Sequence, residues 1–292
     1  MMYLAGAIIF SSWLVIAFKI AERFGISAFQ SIIFNYLTCT ITGICLEGSF
    51  PSIHQLVNAS WFPWALLMGA MFISVFNLVA YTTKKAGVAI ASVASKLSLV
   101  IPFVFSILLY HEVVTYSKAT GILLALVSVT LTCWPAEKKR AESGKISYQV
   151  MLTPLILFIG SGLMDTLIKY VEQHFINTEN NNLYILTAFS VAGFIGGLIL
   201  VGSILLGKER FDFRSVIAGV IIGVPNYFSL WCLVHVLKSY SGNSSAIIPI
   251  TNMGIVLFST LSAVLFFRER LQRINWIGIL LSVLAIYLIA LA

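Results

Sequence analysis

The sequence has very little charge. Only 10% of its 292 residues are Asp, Glu, Lys or Arg, whereas these residues make up about 25% of an ordinary soluble domain. Hydrophobic residues account for 59% of the chain, and the mean hydropathy is +0.97. This composition excludes a soluble globular protein and predicts an integral membrane protein.

The sequence also lacks the motifs that mark enzymes and metal centres. It contains no HExxH motif, no Walker-type glycine loop and no nucleophile elbow. The four cysteines fall within hydrophobic runs and show no CxxC or Cys/His spacing, so we expect buried, apolar roles for Cys39, Cys45, Cys133 and Cys232. We therefore expect no enzymatic activity, no cofactor and no bound metal.

Long apolar runs dominate the chain instead. A bilayer core about 30 Å thick needs roughly 20 apolar residues per helical span. The sequence supplies ten such runs, near 3–21, 28–46, 61–82, 88–110, 118–135, 149–172, 182–206, 214–237, 244–267 and 274–292. The predicted fold class is an all-α membrane protein with ten transmembrane helices and no soluble domain.

The net charge of +7 comes mainly from short loops. Lys and Arg concentrate in the loops after the first, third, fifth, seventh and ninth runs, and the alternate loops hold only Lys118 and Lys238. The positive-inside rule then places the basic loops in the cytoplasm and both chain termini outside. The charge therefore indicates orientation in a membrane, and we expect no nucleic-acid partner.

The chain contains an internal repeat. A shift of 157 residues aligns Glu112 with Glu269, and the GILL at 121–124 with the GILL at 278–281. We predict a first five-helix repeat at 1–135, a basic linker loop at 136–148 and a second five-helix repeat at 149–292. Because five is an odd number, the second repeat starts on the opposite side of the membrane, which makes an inverted repeat typical of secondary transporters.

Each half has a fourth helix with small residues and a proline, then a glutamate, a short loop and a fifth helix that begins with glycine. The segments are SVASKLSLVIPFVFSILLYHE with GILLALV, and SAIIPITNMGIVLFSTLSAVLFFRE with GILLSVL. Together with GSGLMD at 160–165 and GVPNYFS at 223–229, they resemble the EamA branch of the drug/metabolite transporter superfamily. The resemblance covers essentially the whole chain. It implies transport across a bacterial inner membrane and, contrary to the loop charges, cytoplasmic termini.

Lys96 places a charge inside the fourth apolar run. At 100° per residue, Ser92, Ser95, Lys96 and Pro102 share one sector of that helix, and Asn252 lies in the matching stripe of the ninth run. Pro102 also removes a backbone donor at membrane depth. Lys96 could contact substrate in a water-filled cavity. Alternatively, its side chain could extend to the membrane interface or form a structural ion pair.

Asp165 is the only acidic residue deep within a run, and Lys169 follows it one helical turn later. We consider three roles for this carboxyl group. It could pair with Lys96, it could exchange protons and so couple transport to a proton gradient, or it could bond locally to Lys169.

Four further polar or aromatic residues are candidates for orienting a ligand: Asn77, Asn226, Tyr227 and Trp231. Tyr and Trp are also common at membrane interfaces without any ligand. By contrast, we interpret Glu112 and Glu269 as helix caps. The GxxxG pairs Gly193–Gly197 and Gly219–Gly223 predict close helix packing.

The sequence thus predicts a secondary transporter that moves a small polar metabolite, such as an amino acid, by alternating access of its two repeats. The predicted substrate-binding residues are Asn77, Ser92, Ser95, Lys96, Asp165, Asn226, Tyr227, Trp231 and Asn252. The expected partners are a small-molecule substrate and the lipid bilayer, in a monomer or homodimer. A proton-coupled drug exporter is an alternative, and a non-transporting scaffold or receptor is a further one.

Overall fold

The computed structural model describes residues 2–47, 56–102, 104–105, 116–132, 148–175, 181–239 and 244–290. Within these residues the chain forms ten main α-helices and no β-strand. The helices are α1 Met2–Arg23, α2 Ala28–Glu47, α3 Phe62–Ala86, α4 Val88–Leu97, α5 Tyr116–Thr132, α6 Tyr148–Phe175, α7 Asn181–Leu205, α8 Phe213–Ser239, α9 Ser244–Phe267 and α10 Arg273–Ala290. The predicted all-α class is confirmed, and the arrangement as two inverted repeats stays a prediction.

Six of these helices are long and apolar enough to cross a bilayer, namely α1, α2, α3, α7, α8 and α9. The other four contain apolar stretches of 10–17 residues. A helix rises 1.5 Å per residue, so the six longer ones can each span the hydrocarbon core of a bilayer. The structure therefore fits a multi-pass membrane protein.

The fourth run, expected as one span over 88–110, is interrupted. Helix α4 ends at Leu97, Ser98 and Leu99 form a turn, and helical geometry resumes at Val100. Pro102 explains the break, because its ring nitrogen cannot donate to the carbonyl of Ser98 four residues earlier. That carbonyl instead accepts a tight bond of 2.9 Å from the N–H of Ile101.

The chain divides into two compact units, each drawn from several stretches of sequence. The first unit comprises Met1–Lys19, Leu78–Leu163 and Phe228–Ala292, and the second comprises Ile20–Asn77 and Met164–Tyr227. Each unit therefore takes segments from both predicted repeats. The repeats describe similarity along the sequence, and the packing units do not test their boundaries.

In the first unit, α5 packs along α10, and α9 packs against both α4 and α10. Its apolar core includes Val93 and Leu97 of α4, Val256 of α9 and Ile286 of α10. The contact between α5 and α10 is close at Gly278, where an added Cβ would lie 2.5 Å from the backbone nitrogen of Thr132. A larger residue than glycine would separate the two helices.

In the second unit, α2 packs along α7. Tyr36 of α2 is fully buried, and its hydroxyl donates to the carbonyl oxygen of Phe72 at 2.9 Å. Its ring also lies beside that of Phe189, with the ring centroids 5.9 Å apart. One buried tyrosine thus joins α2 to α3 and α7.

The predicted cap role of Glu269 is confirmed in the first unit. The Glu269 carboxylate accepts the N–H of Val88 at 2.9 Å and that of Ala89 at 3.5 Å, and so satisfies the start of α4. Gly87 has a φ of 105°, and an added Cβ there would lie 2.8 Å from the same carboxylate. Both the backbone conformation and the space require glycine. The equivalent Glu112 lies outside the described residues.

Gln30 fixes the loop between α7 and α8 in the second unit. Its amide nitrogen donates to the Glu209 carboxylate at 3.0 Å and to the carbonyl of Arg210 at 2.8 Å, while its amide oxygen accepts the N–H of Asp212 at 3.1 Å. Asp212 in turn caps α8 by accepting the N–H of Arg214 at 3.0 Å. Hydrogen bonding to the Arg214 guanidinium also holds the pKa of the Asp212 carboxyl below its ordinary value.

The two GxxxG pairs differ in the structure. At Gly219 an added Cβ would overlap the Cβ of Phe34, and at Gly223 it would lie 2.7 Å from the carbonyl oxygen of Asn35, so close packing is confirmed there. For the other pair the expectation is half wrong. Gly193 packs against Leu37, but Gly197 has no atom within 4 Å. The second close contact on that helix is made by Gly196, because α7 presents positions three residues apart to α2.

The expectation for the cysteines also needs one correction. Cys39 and Cys232 are buried thiols, but Cys45 is exposed. It lies near the end of α2, next to the exposed Leu46. Cys133 lies outside the described residues.

Candidate functional site

The predicted site residues fall in both compact units. Ser92, Ser95, Lys96, Trp231 and Asn252 belong to the first unit. Asn77, Asp165, Asn226 and Tyr227 belong to the second.

The polar stripe of α4 is well defined in the first unit. Ser92 is only 1% exposed, and its hydroxyl has no hydrogen-bond partner in the described part of the chain. Ser95 and Lys96 are half-buried, and the Ser95 carbonyl accepts the hydroxyl of Ser98 at 2.6 Å. Ser92 is therefore a buried donor that could bind a ligand.

The position of Lys96 explains how α4 tolerates an ammonium group. Lys96 lies in the last turn of the helix, immediately before the break at Ser98. The carbonyl groups at a helix C-terminus carry partial negative charge and stabilise a nearby cation. The break that Pro102 causes therefore provides a favourable electrostatic environment for Lys96.

Asn252 lies on α9, which packs against α4 in the same unit. Its side chain is half-buried, and the adjacent Met253 packs against the apolar core. The predicted stripes of α4 and α9 thus belong to two neighbouring helices.

Trp231 lies in an aromatic cluster of the first unit. Its ring centroid is 3.8 Å from that of His235 and 5.6 Å from that of Tyr3, with the Tyr3 ring edge-on. Trp231 is also 37% exposed. This arrangement fits the alternative of an interface aromatic residue better than a ligand contact.

In the second unit, Asn226 is buried and bonded to a residue that the sequence reasoning missed. Its amide nitrogen donates to the side-chain oxygen of Asn35 at 3.1 Å. Asn35, on α2, is fully buried, and the thiol of Cys39 lies 3.8 Å from the same oxygen. The rule that selected Asn77, a polar side chain within an apolar run, would also have selected Asn35.

Two other predicted residues of the second unit have structural contacts. The amide of Asn77 donates to the carbonyl of Ile73 on its own helix at 2.7 Å. The ring of Tyr227 packs over Gly43 of α2, where an added Cβ would lie 3.1 Å from it. Asn77 therefore has less donor capacity left for a ligand than its sequence position suggested.

Asp165 is half-buried on α6. Three residues earlier, Gly162 packs tightly against Ile101, in the segment that follows the break in α4. Lys96 and Asp165 lie in different units, and their pairing stays a prediction. The alternative partner Lys169 has a side chain outside the described set.

Comparison with known proteins supports the fold but indicates no activity. No model of a known protein family matches the chain. An uncharacterised protein of Haemophilus influenzae is 26% identical over 285 residues, which cover 96% of this chain and 94% of that protein. A protein of known crystal structure is 16% identical, with a TM-score of 0.62 over 99% of this chain and 96% of that one. At such low identity, this similarity shows a shared fold alone.

Proposed function

We propose that the protein is a secondary transporter of a small polar metabolite. The observation that carries the proposal is helix α4, which is interrupted at Ser98 and places both the Lys96 ammonium and a buried, unpartnered Ser92 hydroxyl within an apolar stretch. Interrupted helices in membranes are tolerated where they line a cavity, and in transporters they commonly form the substrate site.

The packing of the helices supports an inverted repeat. In chain order, α2, α4 and α5 of the first half correspond to α7, α9 and α10 of the second half. Each of these helices packs against its own counterpart, as expected for two halves related by an approximate two-fold axis. Alternating access would then follow from movement of the two halves, as in the EamA branch of the drug/metabolite transporter superfamily in bacterial inner membranes.

The charge of Lys96 favours a solute that carries a carboxylate, such as an amino acid. In this proposal the Lys96 ammonium of the first unit binds that carboxylate, and Asp165 of the second unit takes up a proton for coupling. Ser92, Ser95 and Asn252 supply neutral hydrogen bonds. A large apolar drug would offer these polar groups no hydrogen bonds, which is unfavourable in a membrane interior.

Flux measurements in liposomes test the proposal. Purified protein is reconstituted, and counterflow of radiolabelled L-amino acids is compared for the wild type, Lys96→Ala and Lys208→Ala. Lys208 is exposed in the loop between α7 and α8 and serves as a charge-matched control. We expect Lys96→Ala to reduce flux by tenfold or more, roughly the effect of losing one charged hydrogen bond. The proposal fails if the wild type transports no solute in liposomes and the Lys96→Ala variant behaves like the wild type in cells.

A proton-coupled drug exporter is the second candidate, favoured by the half-buried carboxyl of Asp165 within a span. Uptake and release of a proton by this carboxyl during transport would make drug binding depend on pH between about 5 and 8. Binding of a lipophilic cation that does not change over this range would exclude that candidate. Asp165→Asn should abolish the pH dependence if coupling uses this group.

A further inference from the structure

Asn35 carries a buried amide group without a complete set of hydrogen bonds. The side chain is fully buried, and its nitrogen has no partner in the described part of the chain. Ten other buried side-chain atoms share this condition, but all ten are hydroxyl oxygens. A hydroxyl can rotate towards a nearby carbonyl, whereas an amide held at its oxygen cannot.

Two contacts hold the amide of Asn35 in place. Its oxygen accepts the amide nitrogen of Asn226 at 3.1 Å, and the thiol of Cys39 lies 3.8 Å away. The same thiol lies 3.3 Å from the carbonyl oxygen of Gly223. Because both side-chain contacts use the oxygen, the amide nitrogen is directed away from them.

The close approach of α2 and α8 fixes this arrangement. At Gly223 an added Cβ would lie 2.6 Å from the Cβ of Thr38 and 2.7 Å from the carbonyl oxygen of Asn35. Glycine at this position therefore allows Asn226 to reach Asn35 across the two helices. The position of the unpartnered nitrogen is thus set by backbone packing.

Several other polar side chains of α2 are satisfied within the protein. The hydroxyl of Thr38 donates to the carbonyl of Phe34 at 2.8 Å, and that of Thr42 donates to the carbonyl of Thr38 at 2.8 Å. The hydroxyl of Tyr36 is bonded across to α3. An amide with two unused N–H groups is therefore an exception on this helix, and in an apolar interior such a group favours any acceptor that can reach it.

We propose that Asn35 donates to an acceptor oxygen of the transported solute, and that Asn226 is the positioning residue that orients its amide. This proposal rests on the proposed transport function. The structure presents the site closed around the amide, and solute reaches it when α2 and α8 separate during the transport cycle. The amide nitrogen of asparagine donates two hydrogen bonds and carries no charge. It therefore binds an acceptor oxygen and does not attract the ammonium group of the solute.

Thiol labelling tests this proposal and does not require the identity of the substrate. Asn35→Cys is made in a variant whose four natural cysteines are replaced by alanine, and 2-aminoethyl methanethiosulfonate is added to membranes. Ile33→Cys is the matched control, because Ile33 is 1% exposed on the same helix but packs against Gly196 of α7. We expect labelling at position 35 and none at position 33.

The ligand class is identified with protein that keeps Asn35. In a thermal assay, a mixture of the proteinogenic L-amino acids should stabilise the natural protein, and ethylamine, which lacks an acceptor oxygen, should not. Absence of labelling at position 35 overturns the proposal, and so does equal stabilisation by ethylamine. Flux in liposomes without labelling refutes the inference alone, whereas stabilisation by amino acids without flux refutes only the transport function.

A second pair of variants covers the case in which the cysteine-free protein fails to fold. Asn35→Leu in the natural background removes the unpartnered amide, and Ser215→Ala removes a buried, unpartnered hydroxyl elsewhere in the second unit. We expect Asn35→Leu to weaken stabilisation by amino acids in a thermal assay by roughly tenfold to a hundredfold in apparent affinity, while Ser215→Ala leaves it unchanged. An Asn35→Leu protein that retains full stabilisation would show that the amide is only a packing defect.

Discussion

Replacing Gly219 by alanine is expected to destabilise the contact between α2 and α8. An added Cβ would overlap the Cβ of Phe34 and would also lie 2.9 Å from that residue's carbonyl carbon and 3.0 Å from the backbone nitrogen of Asn35. Two of these three atoms belong to the backbone and cannot rotate away. The two helices must therefore move apart to accept one methyl group.

Two opposing effects determine the expected loss of unfolding free energy in Gly219→Ala. Overpacking of a tight contact typically costs about 1–3 kcal/mol, and the rigid backbone atoms place Gly219→Ala towards the upper end. Alanine recovers about 1 kcal/mol relative to glycine through its helix propensity. The net loss is about 1–2 kcal/mol of unfolding free energy.

Gly197 supplies the matched control on α7. It has no atom within 4 Å of an added Cβ, so Gly197→Ala keeps the propensity gain of up to about 1 kcal/mol and has no packing cost. The two variants should therefore differ by about 2–3 kcal/mol. At about 2–4 °C per kcal/mol for chains approaching this size, their thermal midpoints should differ by roughly 4–12 °C.

The assay is thermal unfolding of both proteins in the same detergent, followed by intrinsic fluorescence and by loss of the monodisperse peak in size-exclusion chromatography. Equal midpoints for Gly219→Ala and Gly197→Ala would refute the reasoning, because both positions carry the same GxxxG signature in the sequence. A midpoint for Gly219→Ala above that of the wild type would mean that α2 and α8 are not closely packed.

Two further sets of variants test local contacts. Glu269→Ala should cost about 0.5–2 kcal/mol by removing the cap of α4 and should speed hydrogen exchange at the amide of Val88, while Gly87→Ala should cost more because it adds backbone strain and a clash with the same carboxylate. Unchanged exchange at Val88 in Glu269→Ala would contradict the cap. Gln30→Met should free the loop between α7 and α8 and make it cleavable by trypsin at Lys208, without changing the thermal midpoint by more than a few degrees. A loop that stays resistant would show that the Gln30 amide does not hold it.

Much of the helical organisation could be predicted from the sequence, because apolar runs of bilayer length admit few other structures. The break in α4 was only partly predictable. Pro102 identified the helix that would bend, but the position of the turn at Ser98 depends on which carbonyl loses its donor. The GxxxG signature likewise identified α7 as a packing helix but selected Gly197, whereas the contact uses Gly196.

Contacts between distant segments were beyond the reach of the sequence. Asn35 and Asn226 lie 191 positions apart, and no periodicity within either helix indicates that they meet. The same holds for Gln30 and the loop before α8, whose bonds span about 180 positions. Sequence reasoning identified Asn226 as a polar residue in an apolar run, but its partner and its role as donor come only from the structure.

The buried hydroxyls of the helices divide into two groups, and the division has a functional meaning. Ser128 and Thr187 return their hydrogen bonds to carbonyls of their own helices, which is the simplest way to satisfy a hydroxyl in an apolar environment. The hydroxyl of Ser92 does not, although the carbonyl of Val88 lies one turn earlier on the same helix, and the nitrogen of Asn35 has no such local option. A hydroxyl such as that of Ser92 or Ser215 can still rotate towards a nearby carbonyl, whereas the buried nitrogen of Asn35 needs an acceptor from elsewhere. Asn35 is therefore the position at which an oxygen atom of a solute should first be sought.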